Sequence, residues 1–222
     1  MKTSRLALCL LMTSVAAHAS PWPRVNPPPD ARVETIGEQI RLNGIPMHMA
    51  RIRSRSATAE LLDHYREALG KPVAHAQVAD THVLSQRRGD YFITISINAT
   101  DDGLSEALLS IADMQAARQA ADRPLAFRLP AGSEILSDLE SVDGPISARQ
   151  LVLENAHTLR TNLEQLSRSL ADRGLTPDGP ALTDVDTAIV QGFHGPVGEA
   201  RLVLVRHDGS TRAVLTLRLK RS

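Results

Sequence analysis

The chain has 222 residues, with 25 basic and 25 acidic side chains and one cysteine. A formal net charge of zero offers no electrostatic footprint for nucleic acid, so no nucleic-acid partner is expected. A lone cysteine excludes an internal disulfide framework, and an aromatic content of 3% argues against a carbohydrate cleft built on aromatic platforms.

Residues 1–19 read as a secretory signal peptide. Lys2 and Arg5 give a positive start, residues 6–17 form an apolar run too short to span a bilayer, and Ala17-His18-Ala19 has the small-x-small form of a cleavage site. Cys9 lies inside this leader, too early for a lipoprotein box, and is expected to be discarded with it. Export without a mature cysteine fits a Gram-negative periplasm. No later apolar run is long enough for a transmembrane helix. Residues 20–31 carry Pro21, Pro23, Pro27, Pro28 and Pro29 and read as an extended arm with polyproline character, a spacer in the plain interpretation and a docking peptide in the functional one.

From residue 32 the pattern is strand, turn, strand, helix. Strands are expected at 33–42 and 45–53 across Asn43-Gly44, a dipeptide suited to a two-residue hairpin turn. Met47 and Met49 share one face of the second strand as core filler, and a β-bulge near Ala50 is expected to bring Ile52 into phase. Ser56 is placed to cap a helix over 57–69, whose stripe is Leu61, Leu62, Tyr65, Ala68 and Leu69 and whose end is Gly70. Residues 71–80 read as a loop, and 81–87 and 90–99 as a hairpin across Arg88-Gly89. The second of these strands has Tyr91, Ile93, Ile95 and Ile97 on its buried side. Residues 105–114 complete the unit as a strand.

The same order then recurs. Strands are expected at 135–142 and 146–153 across Asp143-Gly144. A helix follows near 158–173 with Leu159, Leu163, Leu166 and Leu170 in a stripe, then strands near 187–193, 199–207 and 211–219. Asp102-Gly103 through Ile111 aligns with Asp208-Gly209 through Leu217. The expected fold is therefore α+β: an internal duplication of a β-β-α-β-β-β unit, with antiparallel sheet and one helix per repeat packed on a face. The copies are residues 32–114 and 131–222, joined by a linker at 115–130. They form either one long sheet with both helices on one side or two facing sheets.

Motifs for chemistry are sparse. There is no mature cysteine, no G-x-S-x-G, no H-E-x-x-H, no P-loop and no G-x-G-x-x-G. Met47-His48-Met49 has soft-metal residues, but in a strand His48 points away from both methionines. Asp80 and His82 can share a strand face, with His75 upstream, and lack a third ligand. Arg88-Gly89-Asp90 is good turn chemistry. No cofactor or metal is expected. The densest glycine stretch, residues 191–198, reads as a mobile hairpin loop, which makes Gly192, Phe193, His194 and Gly195 candidate partner-binding residues. The last strand, with Arg212 and Arg218 on its flanks, is taken as an exposed edge that admits a partner strand. The expected function is a non-catalytic periplasmic binding or adaptor protein with an envelope protein partner, of the kind accessory to an envelope or secretion assembly. The alternatives are a carrier of a small apolar or amphipathic ligand, and a hydrolase whose site assembles only in three dimensions.

Overall fold

The computed structural model describes residues 22–120, 128–184 and 187–221. The leader at 1–19 and residues 121–127 of the linker lie outside the described residues. The elements are β1 (Arg32–Thr35), β2 (Ile40–Leu42), β3 (Ile45–Ser54), α1 (Thr58–Leu69), β4 (Ala74–Val78), β5 (Thr81–Arg88), β6 (Tyr91–Ala99), β7 (Ser105–Asp113) and α2 (Met114–Ala120). They continue as β8 (Glu134–Asp143), β9 (Ile146–Asn155), α3 (Leu159–Ala171), β10 (Thr176–Pro177), β11 (Leu182–Asp184), β12 (Ala188–Gly195), β13 (Gly198–His207) and β14 (Ser210–Lys220). The strands form one antiparallel sheet in the order β10-β12-β13-β14-β9-β8-β2-β3-β7-β6-β5-β4, with β1 beside β3 and β11 beside β12. The protein is mostly antiparallel sheet with three helices, an α+β architecture.

The seam of this sheet is β2–β8. From it the strands run β3-β7-β6-β5-β4 one way and β9-β14-β13-β12-β10 the other. Face identity passes across the seam through the register. Ala50 and Ile52 lie on the same side of β3 as Pro46. Pro46 pairs with Arg41, Arg41 with Glu140, Glu140 with Arg149, and Arg149 with Leu217. Ala50 and Ile52 belong to the core under α1, and Leu217 to the core under α3. Both helices therefore cover one face of a continuous sheet.

Each helix buries its apolar stripe on its own half. Leu61, Leu62, Tyr65 and Leu69 of α1 meet Leu84, Ile93, Ile95 and Ile97, while Leu159, Leu166 and Leu170 of α3 meet Leu151, Leu202, Leu204 and Leu215. Thr158 caps α3 by accepting the Thr161 N–H at 3.2 Å. The expected Ser56 cap of α1 is not used: Ala57 occupies that position, and its N–H is met by the Glu60 carboxylate at 3.3 Å. Gly70, at φ +72°, ends α1 with a backbone conformation that a side chain resists.

Several expectations change. The first strand is split, because residues 37–39 leave the ladder between the Ile36 N–H bond to the Met49 carbonyl and the Ile40–Met47 pair, with Gly37 at φ +64°. This detour lets the Glu38 N–H and the Gln39 carbonyl bond Val142, which makes the seam. The irregularity is thus in the partner strand, and β3 itself pairs with β7 without a bulge from Met47 to Ser54. Its helix-side face is His48, Ala50, Ile52 and Ser54. Met47 and Met49 lie half-buried on the opposite face and are not core filler. Residues 74–78, expected in a loop, form β4. The second turn is shifted by one, since Asp143 pairs with Ile146 and the turn residues are Gly144-Pro145. The linker opens with α2.

Candidate functional site

Two places on the sheet carry unsatisfied binding capacity. The first is its β4 edge. Ala74–Val78 pairs with β5 on one side, and no described strand pairs with its other side. All five residues are exposed, Val78 at 66%. The strand contains no proline and no Lys, Arg, Asp or Glu, the residues that commonly blunt an edge. The opposite edge is blunted: β10 and β11 are two- and three-residue strands separated by a segment with Gly179 and Pro180, and β10 ends in Pro177.

Beside the free edge lies a polar chain. Arg66 Nη2 is 3.0 Å from His75 Nδ1, and His75 Nε2 is 3.3 Å from His82 Nδ1, with the two rings stacked at 5.5 Å. Arginine only donates, so His75 Nδ1 accepts and its Nε2–H donates to His82. The sequence reading paired Asp80 with His82 on a strand face, but Asp80 lies in the turn between β4 and β5, and it is His75 that the structure joins to His82. Among the described residues no group of three or more His, Cys, Asp or Glu is placed to hold a metal ion.

The second place is on the face opposite the helices. A cavity of about 380 Å³ is lined by Asp178, Gly192, Phe193, Glu199, Ala200, Arg201, Thr216 and Arg218. Glycine at 192 leaves room for the Asp178 side chain here. A Cβ would fall 2.5 Å from Asp178 Oδ2, so its absence lets the Asp178 carboxylate lie over β12 and bond His194 Nδ1. Gly195 answers to a closer approach, as a Cβ there would meet the Gly174 carbonyl oxygen at 1.9 Å. The glycines of residues 191–198 therefore serve tight packing of strand against neighbouring chain. They do not form a loop: Gly192, Phe193, His194 and Gly195 all belong to β12, and only Pro196 and Val197 make the turn. Phe193 faces the other way, 1% exposed in the core under α3.

The expected edge at the last strand is corrected as well. β14 lies in the interior between β13 and β9, with ten paired positions on each side. A terminal position in sequence did not make it terminal in the sheet, because the closing strand of this half inserts beside β9. Arg212 bonds Glu154 at 2.8 Å and Arg218 bonds Glu199 at 3.1 Å, so both are cross-strand partners on the ladder. Ser210 and then Arg212 hold the Glu154 carboxyl below its usual range. Arg218, Gly192 and Phe193 nevertheless come together at the cavity. Asp178 and Arg201 were not singled out from sequence. The signals for them were the Asp178-Gly179-Pro180 turn and the alternation Arg201, Val203, Val205.

The proline-rich arm is a structural part of the first half from residue 22 onward. Trp22 lies against His48 and Tyr91, Asn26 accepts from His64 at 2.9 Å, and Asp30 accepts from Ser54 Oγ at 2.8 Å and the Arg55 N–H at 3.0 Å. Residues 128–133 lie beside α3, where the Arg128 backbone carbonyl accepts from Ser169 Oγ at 2.7 Å and the Ala131 carbonyl from His157 Nε2 at 2.8 Å. No helix among the described residues is long and apolar enough to cross a membrane. No protein-family model, curated protein or solved structure matches the chain.

Proposed function

We propose that this protein is a non-catalytic, exported binding module that holds an envelope protein by adding a strand of that partner to β4. The observation that carries this reading is the contrast between the two ends of the sheet: one is shortened and interrupted by proline, whereas the other offers five unprotected residues. Backbone groups on the outer side of β4 supply affinity, and alternate side chains supply choice. Ala74, Ala76 and Val78 present a small apolar row on one face, while His75 and Gln77 lie on the helix side with His82. A partner segment of about five residues with apolar residues at alternate positions fits this edge. A catalytic role has less support, as no hydroxyl or thiol among the described residues hydrogen-bonds the ring of His194, the histidine in the Asp178 pair.

The two halves are further inferred to be copies of one β-β-α-β-β-β unit, with residues 32–114 and 131–222 as the repeats. Support comes from the matching strand orders on either side of the seam, from two-residue turns at both Gly89-Asp90 and Pro196-Val197, and from the registers that pair Ile95 with Leu109 and Leu202 with Leu215. The periplasmic location rests on the leader-like sequence at 1–19.

A photoreactive residue at Gln77, in cells that make the protein natively, is expected to trap one envelope protein, and Ala76→Lys in the same chain is expected to abolish the product. Because β4 is exposed, the lysine leaves the fold unchanged by circular dichroism. An adduct that persists in the Ala76→Lys chain, or trapping equally strong from Arg160 on α3, refutes strand addition at this edge. A product of twice the chain mass identifies self-pairing of β4 instead.

A further inference from the structure

Arg201 is the unusual member of the cavity on the face opposite the helices. Arg218 there is ion-paired with Glu199, and the Asp178 carboxylate is hydrogen-bonded by His194 Nδ1. Arg201 makes no ion pair or side-chain hydrogen bond among the described residues, and neither does the Thr216 hydroxyl directly opposite it in the ladder. On its other side Arg201 pairs with Gly192, over which the Asp178 carboxylate lies, bonded by His194 Nδ1. An unengaged guanidinium beside an unengaged hydroxyl, in a cavity of about 380 Å³, is a donor set for an anionic group.

The adjoining row of the same face is apolar. Two residues along each strand from Gly192, Arg201, Thr216 and Gln150 stand Val190, Val203, Val214 and Val152, mutually paired across β12, β13, β14 and β9. Leu182 of β11, 75% exposed, pairs with Val190 and extends the row. We propose that this face binds a single-chain amphiphile with a carboxylate head, the head on Arg201 and Thr216 and the chain along Val190, Val203 and Val214. A singly charged head is favoured over a phosphate because one guanidinium is unengaged and the Asp178 and Glu199 carboxylates line the same cavity, where they repel a second negative charge. The site is on a different face and in the other half from β4, so it stands independently of the strand-addition reading.

The test is calorimetric titration of the full chain with decanoate below its micelle concentration, alongside acetate, decanol and inorganic phosphate. Decanoate is expected to bind at least tenfold more tightly than acetate, decanol or phosphate. Arg201→Gln is expected to weaken decanoate at least tenfold, Val203→Asn to weaken decanoate while leaving acetate unchanged, and Arg160→Gln to change nothing. Arg201 is exposed, so its variant keeps the wild-type circular dichroism spectrum. Absence of decanoate binding, equal binding by the Arg201→Gln chain, or tighter binding of phosphate than of decanoate overturns the proposal.

Discussion

Trp22, the one tryptophan, sits between His48 and Tyr91, 6.2 Å and 5.7 Å away by ring centroid, and so reports whether the arm is docked. Two titratable groups tie that docking to pH. Burial holds the His48 imidazole below its ordinary value. If undocking restores that value, it takes up a proton, so docking is strongest above roughly pH 6.5 and weakens as the pH falls through and below it. The hydrogen bond from Ser54, and then that from the Arg55 N–H, holds the Asp30 carboxyl below the usual carboxylate range. That contribution is present above roughly pH 3.9 and is lost as the pH falls through the depressed value. Trp22 emission is expected to shift toward the solvent-exposed position in these two steps. His48→Gln should remove the upper step and Asp30→Asn the lower one. An emission spectrum constant from pH 8 to pH 3 contradicts this account of the arm.

At the scale of elements, the two helix–strand pairs differ in the chemistry at the start of each helix. Where α3 crosses β9, Asn155 and Asn162 are buried and exchange two hydrogen bonds at 2.8 Å and 2.9 Å, with Ser133 and the Thr158 carbonyl taking further donors. The corresponding positions in the first half, at the end of β3 and in the first turns of α1, are Ser54 and Leu61: a hydroxyl that bonds Asp30, and a leucine in the core. Asn162→Leu alone leaves the Asn155 amide short of partners and is expected to cost about 1–3 kcal/mol in urea unfolding. Adding Asn155→Ser recreates the first-half pair and should recover more than half of that loss. If the double variant is as unstable as the sum of the single ones, the two crossings are not interchangeable.

At the scale of the molecule, the described residues form two cores and one seam. The cluster under α1 and the cluster under α3 share no residue. The halves meet through the pairs Arg41–Glu140 and Leu42–Leu139, flanked by backbone bonds that join Glu38 and Gln39 to Val142 and Asn43 to Asp138. So short a seam, beside two separate clusters, favours two cooperative units over one. Urea unfolding followed by Trp22 emission and by circular dichroism is expected to give non-coincident transitions. Leu166→Ala, which empties a fully buried site under α3, should lower the α3-side transition by about 2–5 kcal/mol and leave the Trp22 transition nearly unmoved. A single coincident transition, displaced as one by this variant, indicates instead that the seam couples the halves fully.

Local pattern was enough to locate most elements. Both long helices, the 81–99 hairpin and the strand at 210–220 follow from apolar spacing and turn residues, because burial of one face and the φ demands of a turn are imposed within a few residues of chain, whereas the stretch at 105–113 reads alone equally as a short helix and is assigned as a strand by its match to residues 208–217. Assignments failed where tertiary pairing outweighed local signal. Residues 37–39 leave their hairpin to reach Val142, residues 74–78 become a strand only because β5 pairs with them, and β14 lies inside the sheet because it inserts beside β9. The same reason divides the candidate sites. The glycines of β12 and the charges of β14 stood out in sequence, but their roles did not, since a close approach from Gly174 or a facing Glu154 comes from chain far away. Arg201 was legible only as an ordinary strand residue, and the β4 edge only as part of a loop. What makes each notable is a partner missing among the described residues, an ion pair for Arg201 and a second strand for β4, and neighbours are assigned by the tertiary fold.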